Sequence, residues 1–390
     1  MQRGIRLIMA FNFLEDFLPY SVFAVLIFAD IAGSFTAAAA AFSVTMLASV
    51  VFEVPTGVLS DRVGRKATVV LGALFSTAGI VCYALAQDAT LIFIGSVIGG
   101  ISTAFYSGNN DALLYDLLVD HGKEHQFRDY LGRTSSMFQA AGAVSAVIGG
   151  VLVAATDYRT ILWVTVIPQA LSVIVALMLP VTRPHEKSET PYAHLRESIG
   201  LIAANPRLRA LTTAQVIRFS FGEAGYQLRA AFVETLWPLW AIGAARAFSN
   251  VIAALSFYFA GPLIRFFGER RILLGGVGFA NISEIVWVSL SNVLSPALMA
   301  LNSALFGVIT VSSGTLMQRE FSPRHRATMG SVASLLGSFG FAVVSVVFGV
   351  ITDLIGPDRA LMLMLAGALT SVFWYRVAFR RNGAEPLANS

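Results

Sequence analysis

The sequence predicts an all-α integral membrane protein with twelve transmembrane helices in two pseudo-symmetric six-helix bundles. The 390-residue chain is 56% hydrophobic and only 13% charged, with a mean hydropathy of +0.71, whereas a soluble domain carries about 25% charged residues. Its apolar runs are long enough to cross a hydrocarbon layer of ~30 Å, which takes about 20 residues each. Each run is expected to be a helix, because a helix satisfies its own backbone polar groups in lipid.

Twelve apolar runs follow one another, separated by short segments such as "DRVGRK" and "IGPDR" that are typical of turns. No small-residue cleavage site follows the first run, so we interpret it as a retained span. Most of the 27 lysines and arginines fall in segments on the N-terminal side, so both termini are predicted to be cytoplasmic, in a multi-pass protein of the cell inner membrane. The expected spans are 7–29, 37–59, 67–86, 90–112, 131–155, 160–180, 209–234, 247–264, 272–291, 296–316, 327–350 and 359–379.

The longest polar connection divides the runs six and six. It carries three prolines, Pro184, Pro191 and Pro206, and is compatible with a domain linker or with an ordinary solvated loop. We predict an N-terminal bundle over residues 1–181, a cytoplasmic linker over 182–207 and a C-terminal bundle over 208–390.

Several classes of protein are excluded by residues that the chain lacks or disperses. Cys82 is the single cysteine, so a disulfide framework or a thiolate metal cluster is excluded. All five histidines fall in predicted loops, and no G-x-x-x-x-G-K-[ST] loop occurs. The basic residues are spread over short loops, which argues against nucleic-acid binding. We therefore expect no enzyme activity, no metal and no cofactor, and a monomer in the lipid bilayer.

One polar turn interrupts the apolar pattern after the second span. In "FEVPTGVLSDRVGRKATVVLG" (residues 52–72) the charged residues Asp61, Arg62, Arg65 and Lys66 stand near two glycines, Gly57 and Gly64. A decayed copy, "GPLIRFFGERRILLGG", begins at residue 261, after the second span of the other half. This internal repeat is the arrangement expected when two halves rock about a central site.

The segment "GVLSDRVGRK" resembles the loop motif of the major facilitator superfamily, roughly G-x-L-x-D-R-x-G-R-K, and lies between spans 2 and 3 as that motif does. The preceding "EVPTG" resembles a mostly bacterial branch of the superfamily. The resemblance implies secondary transport by alternating access. Two family features are missing: the usual arginine early in span 4, and the Gly-Pro pair of the antiporter motif in span 5, where Ser145 and Ala146 stand.

The resemblance also implies that the polar turn is a latch that holds the cytoplasmic mouth shut. Asp61 would meet the N-terminus of span 11, where the helix dipole favours an anion, and Arg65 would meet Asp116 or Asp120 at the end of span 4. Positive-inside topology alone would explain the basic residues, but not Asp61 or the glycines. In the second copy Arg265 and Glu269 replace Asp61 and Arg65, so that latch is inverted or lost. The predicted latch residues are Gly57, Asp61, Arg62, Gly64, Arg65, Lys66 and Asp116.

Charged residues inside spans cost at least ~2.5–3.5 kcal/mol each on insertion scales and are functional candidates by default. In the family that this chain resembles, spans 1, 4, 7 and 10 line the central cavity, which ranks Glu284 on span 9 lower. Each acid could instead form a structural ion pair. The proton and substrate candidates are Glu15, Asp16, Glu53, Asn109, Asp111, Arg218, Glu223 and Asn302. Four phenylalanines would supply aromatic walls for an organic cargo: Phe11, Phe13, Phe17 and Phe23.

These features predict a secondary active transporter of a small organic molecule, with proton-coupled efflux of drugs or metabolites as the leading interpretation. Proton-coupled uptake is the alternative, because the span 5 antiporter motif is degenerate. A membrane sensor that descends from a transporter and moves no cargo is a further alternative. Arg218, deep in span 7, favours a cargo with an anionic group unless Glu223 or Glu53 neutralises it.

Overall fold

A computed structural model describes residues 1–107, 109–181, 199–321 and 326–380, with the backbone alone described at 61, 128 and 326–328. Helices account for nearly all of these residues, and no β-strand occurs among them. The predicted all-α membrane fold is therefore confirmed.

The described α-helices of seven or more residues are numbered here in chain order. The first half contains α1 (Gln2–Asp16), α2 (Ala24–Ala32), α3 (Phe35–Val63), α4 (Arg65–Leu85), α5 (Ala89–Tyr106), α6 (Asn109–Val119), α7 (Phe127–Ala155) and α8 (Tyr158–Met178). The second half contains α9 (Pro206–Glu234), α10 (Leu239–Tyr258), α11 (Ala260–Phe267), α12 (Val277–Leu290), α13 (Ser295–Leu301), α14 (Ser303–Glu320), α15 (Arg326–Ile355) and α16 (Pro357–Arg380).

Ten helices in the described ranges are long and apolar enough to cross a membrane, and they correspond to predicted spans 2–6 and 8–12. The other two predicted spans are helical as well. Span 1 is divided into α1, of 15 residues, and α2, of 9 residues. Span 7 is the unbroken α9, of 29 residues, which carries several charged residues. The first span of each half is thus the one that departs from a simple apolar helix.

The chain forms two compact units, Met1–Ser188 with Pro238–Ala247, and Glu189–Trp237 with Phe248–Ser390. Residues 182–198 of the predicted linker lie outside the described residues, so its limits stay a prediction. The assignment of Pro238–Ala247 to the first unit differs from the predicted division at residue 208. The first turns of α10 cross α7 at two glycines: a Cβ on Gly243 would lie 2.3 Å from the Ala146 carbonyl oxygen and 2.9 Å from the Gly150 Cα. Such backbone contact is possible only with small residues.

The core of the first unit lies between α1 and α6. Ile5, Ile8 and Phe11 form one face of α1 and are almost fully buried against α6, where Leu114 and Leu118 are also buried. Their three-residue spacing places them on the same side of the helix. This packing fixes the rotation of α1, and with it the direction of the polar residues that follow Phe11.

The core of the second unit lies between α9, α14, α15 and α16. Leu208 and Leu211 of α9 are buried in the same cluster as Met329 of α15 and Tyr375 of α16. The Tyr375 hydroxyl, which needs a partner when buried, lies 2.9 Å from Ser313 Oγ on α14. The first turns of α9 are therefore anchored in this cluster, whereas Arg218 and Glu223 farther along are only partly buried.

Candidate functional site

Span 1 breaks immediately after two adjacent acids, Glu15 and Asp16. α1 ends at Asp16 because Pro19 has no N–H to donate to the Glu15 carbonyl, which an unbroken helix would require. The side-chain amide of Gln169 on α8 donates to that carbonyl at 2.9 Å and to the Leu14 carbonyl at 3.1 Å. A fully buried glutamine thus satisfies the end of α1.

Two further contacts hold this break in place. Ser76 of α4 donates through Oγ to the Gln169 side-chain carbonyl at 2.7 Å, which orients its amide. On the other side, a Cβ on Gly149 of α7 would lie 2.3 Å from the Pro19 carbonyl oxygen, so only glycine permits the two backbones to approach. The break in span 1 is therefore held by specific contacts within the first unit.

The two acids have different surroundings. Ser172 of α8 donates to Glu15 Oε2 at 3.3 Å, and the buried Tyr106 hydroxyl, which has no hydrogen-bond partner among the described residues, faces the same carboxyl group. Asp16 is only partly buried and has no hydrogen bond or ion pair in the described part of the chain. Glu15 is held by the unit, whereas the Asp16 carboxyl group is available to a proton or a cation.

The aromatic residues around the acids divide into two groups. Phe11 and Phe23 are almost fully buried, and Phe11 packs edge-on against Tyr106 with 5.6 Å between ring centroids. Phe13 and Phe17 are partly exposed and stack on each other at 5.7 Å. Only the second pair remains a candidate wall for a cargo.

A polar chain that sequence reasoning missed lies one turn before the acids. Asn110 of α6 donates through Nδ2 to Asn12 Oδ1 at 3.4 Å, and Asn12 Nδ2 lies 3.5 Å from the Thr134 carbonyl of α7. Asn12 precedes Glu15 by three residues, so its helical spacing could have indicated it. Asp111, in the first turn of α6, is exposed and has no hydrogen-bond or ion-pair partner among the described residues.

The predicted latch turn contains a buried hydrogen-bonded hub, which we call the Arg65 hub (Ser60, Arg65, Asn109 and Asp116). Arg65 donates through Nη1 to Asn109 Oδ1 at 3.1 Å and to Ser60 Oγ at 3.3 Å, and Ser60 donates to Asn109 Oδ1 at 2.6 Å. Arg65 Nε lies 3.9 Å from Asp116 Oδ2. The hub ties α3, α4 and α6 together, and it places Asn109 with the latch residues.

Gly64 makes the turn that presents Arg65. Its φ of +88° and ψ of 156° end α3 and begin α4 in a backbone region that is accessible almost only to glycine. Gly57 is exposed, and a Cβ there would meet no described atom within 4 Å. Arg62 is exposed, Lys66 is partly buried, and the side chain of Asp61 lies outside the described residues. Its expected partner, the start of span 11, begins at Arg326, and the side chains of residues 326–328 also lie outside the described residues.

Glu53 lies two turns before the Arg65 hub on α3 and is exposed, with Ser107 Oγ donating to its Oε1 at 3.3 Å. Pro55 interrupts the backbone hydrogen bonds of this helix segment. Thr56 Oγ1 lies 3.0 Å from the Ala104 carbonyl of α5 and ties the segment to span 4. Glu53 therefore lies where α3 meets the end of α5.

The second unit presents its polar residues along α9. Gln215, Arg218, Gly222 and Tyr226 follow one another at spacings of three and four residues, which places them along one side of the helix. Arg218 is partly buried, and its Nε has no hydrogen-bond partner among the described residues. Glu223 is also partly buried. The Arg218 guanidinium is thus a cation with at least one N–H donor, at Nε, that has no partner among the described residues.

A buried ion pair joins α9 to α12. Arg229 donates through Nη2 to Glu284 Oε1, and Glu284 is 7% exposed. Two charges in low-dielectric surroundings are stable only when they are paired. Both residues fall inside predicted spans (209–234 and 272–291), but sequence reasoning did not pair them, because they stand 55 positions apart.

Asn302 stands at the junction between α13 and α14. It accepts from Ser283 Oγ through Oδ1 at 3.1 Å and donates through Nδ2 to the Ala280 carbonyl at 3.2 Å, so both ends of its amide are held by α12. These contacts hold the junction of α13 and α14 against α12. Among the described residues, no group of three or more His, Cys, Asp or Glu could hold a metal ion.

The second copy of the latch turn has the same backbone with different side chains. Gly268 has φ +77° and ψ 146°, close to the angles of Gly64. Glu269 stands at the position of Arg65 and forms an ion pair with Arg319, whose Nη1 lies 3.0 Å from Glu269 Oε1. Arg319 lies at the end of span 10, which corresponds to the position of Asp116 at the end of span 4. The charges of the pair are reversed between the copies.

Comparison with known proteins identifies the family that the sequence matches. The family model of the Major Facilitator Superfamily matches residues 6–345. The chain is 22% identical over 351 residues to the inner membrane transport protein YajR of Escherichia coli (strain K12), over 85% of this chain and 72% of YajR. It is 23% identical over 227 residues to the multidrug resistance protein MdtH of Edwardsiella ictaluri (strain 93-146), over 56% of this chain and 52% of MdtH.

Solved structures with the same fold include the nucleoside transporter NupG. Its crystal structure has a TM-score of 0.81 to this chain. The match covers 96% of this chain and 99% of the NupG chain, at 12% sequence identity. At that identity the likeness shows the fold alone.

Proposed function

Because the chain belongs to the major facilitator superfamily, a family of transporters, we propose that it exports a small organic molecule in exchange for protons by alternating access. It is a multi-pass membrane transporter of small molecules and not an enzyme. The observation that carries the proposed coupling is the pair of acids at the break of span 1. Glu15 is held by its unit, whereas Asp16 has no partner among the described residues.

Asp16 is the proposed proton-binding group. A carboxyl group whose surroundings alternate between dry and hydrated binds and releases a proton as they change. Gln169 and Gly149 hold the broken backbone next to Asp16, so the carboxyl group has a fixed position without a fixed partner. Glu15, fixed by Ser172, would orient the local polar network and raise the cost of a second negative charge beside it.

Arg218 is the proposed cargo-binding group of the second unit. Its buried Nε without a partner in the described ranges favours a cargo with an anionic or strongly hydrogen-bond-accepting group, since guanidinium groups bind carboxylates and phosphates through two donors. The partly exposed Phe13–Phe17 stack suits an organic cargo with apolar surface. Export as the direction is supported by the name of one relative, a multidrug resistance protein.

The Arg65 hub is the proposed latch of the cytoplasmic mouth. It orders the turn that carries Asp61, whose expected partner is the start of span 11. We propose that both termini lie in the cytoplasm, from the distribution of lysine and arginine along the chain. A location in the inner membrane is supported by the name of the relative YajR, and we propose a monomer as the functional unit.

Uptake into proteoliposomes with and without an imposed pH step tests the proposed coupling. We expect cargo accumulation to follow the pH gradient in the wild-type protein. Asp16→Asn should abolish this accumulation while exchange of cargo down its own gradient survives, and Glu15→Gln should have a smaller effect. Full pH-driven accumulation in both single variants and in the double variant would exclude these acids and redirect attention to Glu53, Asp111 or Glu223.

The same experiment separates the alternatives. Accumulation when the protons and cargo move in the same direction would identify uptake by symport in place of export. A protein that binds cargo, as seen by a thermal shift, yet shows no exchange under any gradient would be a sensor. Arg218→Gln should weaken cargo binding without removing the pH response of a residual flux, which separates the two proposed roles.

A further inference from the structure

An open cavity of about 390 Å³ lies at the start of span 9, outside the residues proposed for transport, and is lined by Arg270, Arg271, Leu274 and Gly275. Both arginines are exposed, and neither has an ion pair within the described residues. The adjacent acid, Glu269, is already bound by Arg319. Two adjacent cations without a counter-charge therefore border an apolar floor.

The floor of the cavity is open because the helix is widened there. Residues Ile272–Gly276 form a π-helical turn, a rare geometry that recurs at functional sites. A Cβ on Gly275 would meet no described atom within 4 Å, and the same is true of Gly278. The π turn and the two glycines leave a groove on this face of the helix.

An apolar stripe continues from the groove along α12. Phe279, Ile282 and Val286 are exposed by 65%, 55% and 44%, and their spacing from Gly275 by four, seven and eleven residues places them on one face of the helix. At 1.5 Å per residue the stripe is about 16 Å long. This is about half of the ~30 Å hydrocarbon thickness, which is the depth of one leaflet.

We propose that this groove binds a phospholipid with an anionic headgroup. Arg270 and Arg271 would together bind the phosphate, whose charge no headgroup cation neutralises, and one acyl chain would lie over Gly275 and Gly278 beside Phe279. Basic pockets next to membrane helices suit anionic lipids for this reason, and guanidinium groups bind phosphate through paired hydrogen bonds. A zwitterionic phospholipid offers the same chain without the net charge and binds more weakly.

The test uses the full chain in detergent with added dioleoyl phosphatidylglycerol, dioleoyl phosphatidylcholine or soluble glycerol phosphate. Native mass spectrometry counts the bound lipids, and thermal unfolding reports stabilisation. We expect phosphatidylglycerol to bind at least about tenfold more tightly than phosphatidylcholine, which corresponds to about 1.4 kcal/mol. Glycerol phosphate should give no comparable stabilisation, because it lacks the chain.

Two variants each remove one half of the proposed site, the basic half or the groove. A third variant, with two arginines changed elsewhere, is the matched control. Arg270→Gln with Arg271→Gln should abolish the preference for phosphatidylglycerol, and Gly275→Leu should weaken binding of both lipids by filling the groove without a change in charge. Arg376→Gln with Arg380→Gln removes two exposed arginines of α16 and should leave the preference intact. All five positions are exposed, so little effect on folding is expected.

The proposal is overturned by any of three results: equal binding of the two lipids to the wild-type protein, an equal loss of preference in the α16 control, or stabilisation by glycerol phosphate as large as that by phosphatidylglycerol. The first would show a lipid groove without headgroup recognition, the second a general effect of net charge, and the third a phosphate site that takes no lipid.

Discussion

The two copies of the turn between the second and third spans of each half share a backbone but differ in side-chain burial. Gly64 and Gly268 have φ of +88° and +77° and end their helices in the same way. In the first copy the Arg65 side chain is 19% exposed and meets buried partners. In the second copy Glu269, at the position of Arg65, is 17% exposed, but its partner Arg319 is 64% exposed, whereas Asp116 in the first copy is 5% exposed.

This difference indicates that the repeat preserves chain geometry more strictly than chemistry. A glycine at positive φ has no substitute in such a turn, so both copies keep it. Ion pairs in water contribute little, whereas partly buried and hydrogen-bonded charges contribute more. Control of the cytoplasmic mouth is therefore expected to reside in the first copy.

Removal of the arginine from the first copy should have the largest effect. Arg65→Ala leaves Asn109 and the buried Asp116 without their cation, and we expect a loss of about 3 kcal/mol of unfolding free energy, measured by thermal unfolding in detergent. Lys66→Ala is the matched control at the next position. A loss no greater than that of Lys66→Ala would show that the Arg65 hub is not a stabilising network.

The glycines should respond alike in the two copies. Gly64→Ala and Gly268→Ala each force a Cβ into a backbone region that costs about 1–3 kcal/mol, so the two losses should agree within their errors. Gly57→Ala, in an exposed helical position, should be neutral or slightly stabilising. Sensitivity at only one of the two turns would show that their shared backbone angles have different causes.

The ion pair of the second copy, in which Arg319 is mostly exposed, should contribute least. Glu269→Ala removes a partner of an arginine that is mostly in water, and we expect a change of about 0.2–1 kcal/mol that falls further in high salt. The control is the same substitution measured in the Arg319→Ala background, where it should have no effect. A loss as large as that of Arg65→Ala would make the two copies equivalent.

Sequence reasoning predicted the spans well because hydropathy and length alone determine which segments enter a membrane. It did not predict the break after Asp16, since a run of apolar residues with one proline still reads as a continuous span. The contact between Gln169 and Glu15 could not be predicted, because the two residues are 154 positions apart in the sequence. They meet only through the packing of α8 against α1.

Asn109 is a second residue whose contacts the sequence did not predict. Its place at the end of span 4 suggested a cavity position, but α5 ends at Tyr106 and α6 begins at Asn109. This restart turns its amide toward Arg65 and Ser60. Helix phase after a break is set by packing, which the residue order alone does not contain.

Thiol labelling from the cytoplasmic side tests the asymmetry of the two turns most directly. The chain has one cysteine, so Cys82→Ser gives a background in which Gly222→Cys, exposed on α9, is the single reporter. In inverted vesicles we expect Asp61→Asn to raise its labelling rate by at least about fivefold, which corresponds to about 1 kcal/mol of closing free energy. Arg265→Gln, the matched change in the second copy, should leave the rate unchanged. Equal rates in the two variants, or no change in Asp61→Asn, would contradict a latch that resides in the first copy.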